Sequence, residues 1–176
     1  TSSTASATSQ AVRFHIEKAP LCIRAKGKTI TYGETLSDNG AEINGFVNNE
    51  NENVLSGLNY AFDYAQFSDI GTYTIIPMAA KAENYKITYE NGVLNVQPKP
   101  VEIKWNGESI FYYDGTPKLV TAEAIGAVNG DALTVIIEDG SRTETGSYTA
   151  RAAALAGGKA GNYVLPETQT FSFQIK

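Results

Sequence analysis

The chain has 176 residues, a net charge of −5 and 42% hydrophobic residues, which is enough apolar material for a folded core. Because the charge is evenly spread and no long apolar run is present, we expect neither nucleic-acid binding nor direct membrane insertion. The single cysteine, Cys22, excludes an internal disulfide. Ten tyrosines and sixteen glycines favour β structure.

Two short segments precede the first large unit. Residues 1–10 are low in complexity, which predicts a flexible lead. Residues 11–19 contain the alternating phrase RFHIEK, which resembles FSFQIK at residues 171–176. We interpret residues 11–19 either as the closing strand of an upstream module or as an extra edge strand of the module that follows, and the sequence leaves both interpretations open.

An internal repeat divides the remaining chain into residues 20–98 and residues 99–176. The shared landmarks, in the same order in both copies, are ITYG with FYYDG, INGFVNNE with AIGAVNGD, IGTYTI with TGSYTA, and AENY with AGNY. The offset between matching residues varies from 75 to 81 positions, which indicates loops of different length between shared strands. The pattern predicts a duplicated module.

Each copy contains about six alternating segments with turn residues between them, the spacing of a small sandwich or barrel. We predict an all-β protein of two tandem Ig-like β-sandwich modules. The alternative is a pair of β-grasp-like modules with a short helical turn near residues 53–58. We expect tight hairpins at Asn91-Gly92 and Asn106-Gly107. Each module is expected to bury its own small core, with Lys99-Pro100 limiting bending between them.

Catalytic chemistry has little support in the sequence. The one histidine, His15, lies in the RFHIEK phrase and is expected to face solvent, and no C-x-x-C, H-E-x-x-H, P-loop or G-x-S-x-G motif occurs. We predict that the protein is not an enzyme and has no cofactor or dedicated metal site. Asp38, Asp131 and Asp139 lie in turn-rich stretches and are the calcium candidates, although the same residues suit turns for backbone reasons.

The tyrosines divide into two groups. Tyr73 with Tyr148, and Tyr85 with Tyr163, recur at matching repeat positions, which predicts a ring in the core and a hydroxyl bonded to loop backbone. The aromatic residues that do not recur are the candidates for contacting a glycan or a protein partner: Trp105, Tyr60, Tyr64 and Tyr112.

The landmark phrases resemble those of a known family. KGKTITYGETL, INGFVNNE, DIGTYTI and ENYKITYENGVLNVQPKP look like the MBG domain of the YG type, and the second copy is similar to the related YDG-containing, bacterial Ig-like repeats. The resemblance implies a structural or adhesive repeat segment of a bacterial cell-surface or secreted protein. It implies an extracellular location and, as partners, neighbouring repeats or a host or cell-surface protein or glycan. A carbohydrate-binding module that uses exposed aromatic residues is the alternative.

Overall fold

The computed structural model describes residues 12–37, 40–167 and 169–176 of the chain. Strands dominate these ranges, and the only helical segments in them are two 3-10 turns, Glu52–Val54 and Ala160–Asn162. The all-β prediction is therefore confirmed. The first 3-10 turn begins one residue before the helical turn expected near residues 53–58.

Seven strands form two sheets in residues 19–98, called the first half below. The strands are β1 (Ala19–Ala25), β2 (Lys28–Thr31), β3 (Ala41–Asn44), β4 (Asn59–Phe62), β5 (Gly71–Met78), β6 (Tyr85–Glu90) and β7 (Gly92–Gln97). One sheet has the order β3-β1-β6 and the other has the order β2-β7-β5-β4. β1 contacts β5 and β7 of the opposite sheet, so the two sheets pack against each other in a sandwich.

Ten strands lie in residues 99–176, called the second half. They are β8 (Lys99–Pro100), β9 (Glu102–Asn106), β10 (Ile110–Phe111), β11 (Lys118–Leu119), β12 (Thr121–Ile125), β13 (Thr134–Glu138), β14 (Ser141–Arg142), β15 (Gly146–Ala156), β16 (Tyr163–Val164) and β17 (Thr170–Ile175). The largest sheet has the order β10-β17-β15-β13, and three two-stranded sheets pair β9 with β12, β8 with β16, and β11 with β14.

The two halves use the same strand-pairing scheme. β1 pairs antiparallel with β3 and parallel with β6, while β9 pairs antiparallel with β12 and β8 pairs parallel with β16. β2 pairs parallel with β7, as β10 does with β17. The parallel pairs are a feature that the sequence did not indicate. The proposed module boundaries and the Ig-like assignment stay predictions.

Alternation along the strands supplies the core. In β1, Leu21, Ile23 and Ala25 are buried on one face, and β7 buries every second residue in the same way. In β17, Phe173 and Ile175 are buried while their neighbours are exposed. Period-two burial of this kind fixes the register, because a one-residue slip would turn every apolar side chain toward water.

The hydrophobic core of the first half continues into the second half. Its largest cluster of buried residues joins Tyr32, Ile75 and Leu94 to Val101 and Tyr163 across the boundary. A second cluster, built around Val120, Ala150, Phe173 and Ile175, lies wholly within the second half. The expectation of two separate cores is therefore wrong, because Tyr32, the buried residue that follows β2, packs on the second half.

The tight hairpins predicted at the two Asn-Gly pairs do not form. β6 and β7 lie in different sheets, and so do β9 and β10, so the chain changes sheets at both pairs. A Cβ atom at Gly92 would lie 2.6 Å from the carbonyl oxygen of Ala25, and one at Gly107 would lie 2.7 Å from Val120 Cγ1. These glycines permit close packing at the crossings.

Residues 12–18 form no strand with any described residue. The structure therefore shows no extra edge strand over residues 12–18, and the assignment of residues 11–19 to a module stays a prediction. Its apolar side chains are open to solvent, with Phe14 83% and Ile16 80% exposed, and His15 is exposed as predicted. The flexible lead predicted at residues 1–10 lies outside the described residues.

Candidate functional site

The most elaborate polar arrangement lies where the two halves meet. The Tyr163 hydroxyl accepts a hydrogen bond from the backbone N–H of Val128 at 3.0 Å and donates one to Asp131 Oδ2 at 2.7 Å. Tyr32, from the first half, donates its own hydroxyl to the same Asp131 oxygen at 2.9 Å. One carboxylate of the second half therefore holds a phenol from each half.

The two phenol rings also pack on each other. Tyr32 and Tyr163 are 1% and 6% exposed, and their ring centroids lie 5.4 Å apart at 74°. The edge of the Phe67 ring completes the packing around Tyr32, with centroids 6.3 Å apart. Edge-to-face rings with satisfied hydroxyls are a favourable and directional contact, so they fix an angle as well as a distance.

A second set of contacts lies beside the tyrosines. Asp69 of the first half accepts hydrogen bonds from Lys159 Nζ at 2.7 Å and from Asn162 Nδ2 at 2.8 Å. Asn162 is 3% exposed, and its side-chain oxygen accepts from the N–H of Ile70 at 2.9 Å. The hydrogen bond from the Asn162 side-chain amide, and then the one from the Lys159 ammonium, lower the pKa of the Asp69 carboxyl.

Backbone conformation lets the first half approach this closely. Gly33 has φ +87°, and a Cβ atom there would lie 2.8 Å from Val128 Cγ2. A larger residue would push Val128 away from the turn. The joint, as we call it below, consists of Tyr32, Gly33 and Asp69 from the first half and Val128, Asp131, Lys159, Asn162 and Tyr163 from the second.

The recurring tyrosines behave as predicted. Tyr73 donates to the carbonyl of Asp69 at 2.6 Å, and Tyr148 donates to the carbonyl of Glu144 at 2.9 Å, each four residues back along the chain. Tyr85 is 3% exposed and its hydroxyl accepts from the N–H of a loop residue at 3.1 Å, as Tyr163 does. The tyrosines that recur at matching positions of the repeat therefore have structural roles.

The aromatic candidates for ligand binding are not brought together as a binding surface. Trp105 is half-buried and stacks on Phe171 with centroids 5.7 Å apart, so its prediction as an exposed contact is wrong. Tyr64 is buried against Tyr73, and Tyr60 is half-buried against the core. Of the four candidates only Tyr112 is well exposed, at 76%.

Two of the calcium candidates have other partners, and the third lies outside the described residues. Asp131 binds the two phenols, and Asp139 forms an ion pair with Arg142 in a turn where its own φ is +59°. Asp38 is outside the described residues. Within the described ranges, no group of three or more His, Cys, Asp or Glu side chains is placed to hold a metal ion.

Sequence reasoning missed the roles of Asp69, Lys159 and Asn162. A signal for two of them was present, because the phrase Lys-Ala-x-Asn-Tyr occurs as KAENY at residues 81–85 and as KAGNY at residues 159–163. An asparagine and a lysine kept at fixed spacing before a structural tyrosine indicate a polar contact.

No helical segment in the described part of the chain has the length and apolarity to cross a membrane.

Ionisation of the buried phenols is expected to weaken the fold at alkaline pH. Burial, and then the Asp131 carboxylate, raise the pKa of Tyr163 from 10 to about 12. The unfolded chain therefore loses this proton first, and the stability that it gives is complete below pH 10 and is lost as the pH rises toward 12. We expect the urea midpoint to fall over this range, and to fall less in Tyr163→Phe. An equal fall in both proteins would contradict this assignment.

One comparison with known proteins finds a match to part of the chain. The family model of the MBG domain (YGX type) matches residues 21–95, which confirms the resemblance inferred from the sequence over that stretch. The match suggests that this stretch is a repeat domain of a surface protein. No curated protein matches the chain.

Proposed function

We propose that the chain is a structural or adhesive segment of a bacterial cell-surface or secreted protein, without catalytic activity and without a cofactor. The MBG match over residues 21–95 supports the surface-protein context. The joint supports the structural role, since the Tyr32 and Tyr163 hydroxyls both bond to Asp131. The partners in this proposal are neighbouring repeats and a host or cell-surface protein or glycan.

The joint is the observation that carries the proposal. A surface segment that holds a binding region away from a cell needs successive units in a fixed relation, and flexible linkers do not provide this. Here, a buried aromatic pair and Asn162, whose side-chain oxygen and nitrogen both bond to the first half, replace a linker. The glycan-binding alternative has less support, because Tyr112 alone of its four candidates is well exposed.

Small-angle X-ray scattering tests the proposed role. A compact globule of this length has a radius of gyration of about 16 Å. For two units stacked end to end, we expect a clearly larger value together with the scattering profile of a folded, rigid particle. A value near that of the compact globule, or a profile that indicates flexibly tethered units, would overturn the proposal.

A further inference from the structure

The first half carries a second copy of the surface that forms the joint. The second half meets the first half through Val128, Asp131, Lys159, Asn162 and Tyr163. The corresponding residues of the first half, 81 positions earlier for the first two and 78 for the others, are Val47, Glu50, Lys81, Asn84 and Tyr85. We call these five residues the N-terminal face, because they lie beside the start of β1.

The internal geometry of the two surfaces agrees. The Tyr85 hydroxyl accepts from the N–H of Val47 at 3.1 Å, as Tyr163 accepts from that of Val128 at 3.0 Å. Tyr85 also donates to the Glu50 carboxylate, as Tyr163 does to Asp131. The tyrosine and its acid are therefore preset in both halves.

Among the described residues, the outer contacts are made at the joint only. Asp131 accepts a second phenol there, whereas no described residue offers one to Glu50. At the joint Lys159 and Asn162 hold a carboxylate, but the Lys81 and Asn84 side chains have no such partner among the described residues and are exposed.

The chain entering the N-terminal face has the pattern of a closing strand. Phe14 and Ile16 precede Leu94 and Val96 by 80 positions, and those residues precede Phe173 and Ile175 by 79. All four later residues are at most 4% exposed, whereas Phe14 and Ile16 are exposed at 83% and 80%. Ile16 and Glu17 line the same surface depression as Val47, Glu50 and Asn84.

We propose that the N-terminal face binds a preceding module of the same repeat, whose closing strand is residues 12–17. The chemistry of the face defines the matching end of that module. Lys81 and Asn84 fit a carboxylate in the place of Asp69, Glu50 fits a phenol hydroxyl in the place of Tyr32, and Val47 fits a glycine turn. This inference rests on the proposed function, and it names the partner of one end of the segment.

An upstream extension of the full chain tests this. Residues 20–92 are added as a second copy directly before Arg13, so that Phe14 and Ile16 take the places of Leu94 and Val96. Phe14→Leu restores the native residue of the added copy and serves as the packed reference. In the downstream unit, we expect hydrogen exchange of the Val47 and Tyr85 amides to slow at least tenfold relative to the same amides of the 176-residue chain.

Two variants separate docking from folding. Lys81→Glu in the downstream unit is expected to abolish the slowing, and Lys26→Glu, an exposed lysine at the other end of β1, is expected to leave it intact. Unchanged exchange, slowing that survives Lys81→Glu, or an added copy that does not fold in either version would each overturn the inference. Scattering from the 176-residue chain tests the proposed function separately, because the proposed function does not depend on what residues 12–17 bind.

Discussion

The Tyr32→Ala protein is expected to lose about 3–5 kcal/mol of unfolding free energy, the usual cost of truncating a buried aromatic residue. Tyr32 is 1% exposed and packs on Tyr163 and Phe67. The truncation removes that packing and one of the two hydrogen bonds to Asp131. The loss should therefore fall on the contact between the halves as well as on the first half itself.

Fluorescence gives the second readout for Tyr32→Ala. Trp105 is the only tryptophan and lies in the second half, whereas far-UV circular dichroism reports on strands in both halves. Since one cluster of buried residues spans both halves, we expect the two signals to share one urea transition in the unmodified protein. In Tyr32→Ala they should separate.

The repeat supplies a matched control for this experiment. Tyr113 corresponds to Tyr32 but is 52% exposed, so Tyr113→Ala should change stability by no more than about 0.5 kcal/mol. Tyr32→Phe keeps the ring and loses the hydroxyl with its bond to Asp131, at a cost of about 1.5–3 kcal/mol. Equal losses in Tyr32→Ala and Tyr113→Ala would show that the joint does not couple the halves.

Alternation and repetition made the strands and the structural tyrosines predictable. Period-two patterns identified β7 and β17, because one face of each strand must be apolar to cover the core. The repeat predicts packing roles for Tyr73 with Tyr148 and for Tyr85 with Tyr163, because both copies keep them. Their hydroxyl partners in the loops agree with that assignment.

Sheet assignment was not predictable in the same way. An Asn-Gly pair between two alternating segments is compatible with a hairpin and with a crossing between sheets, and only long-range packing decides. Gly92 faces the backbone of Ala25 and Gly107 faces Val120, each a partner far along the chain. The joint was hidden for the same reason, since Tyr32 and Asp131 meet across 99 positions.

The packing of Trp105 against the protein interior was predictable from its own strand. It lies two residues after Ile103 in β9, so both side chains point to the same face of the strand. Ile103 packs against the core, and Trp105 stacks on Phe171 of β17. A large aromatic residue in phase with an apolar neighbour belongs to the packed face, whether or not the other repeat conserves it.

Gly45→Ala is expected to be more destabilising than Gly126→Ala, although the two glycines occupy matching repeat positions. Both have positive φ, +116° and +103°, so alanine at either costs about 1–2 kcal/mol in backbone strain. At Gly45 a Cβ atom would also lie 2.4 Å from the carbonyl oxygen of Pro20, whereas at Gly126 nothing lies within 4 Å.

The difference between the two variants isolates this close approach. The Pro20 carbonyl belongs to β1, which pairs with β3 on one side and β6 on the other, so it cannot move without disturbing both ladders. Overpacking of this kind adds about 1–3 kcal/mol. Urea denaturation of both variants measures the difference directly because the strain is common to both. Equal losses would mean that β1 yields at Pro20, and the central strand of the first sheet would then be less rigid than its two ladders imply.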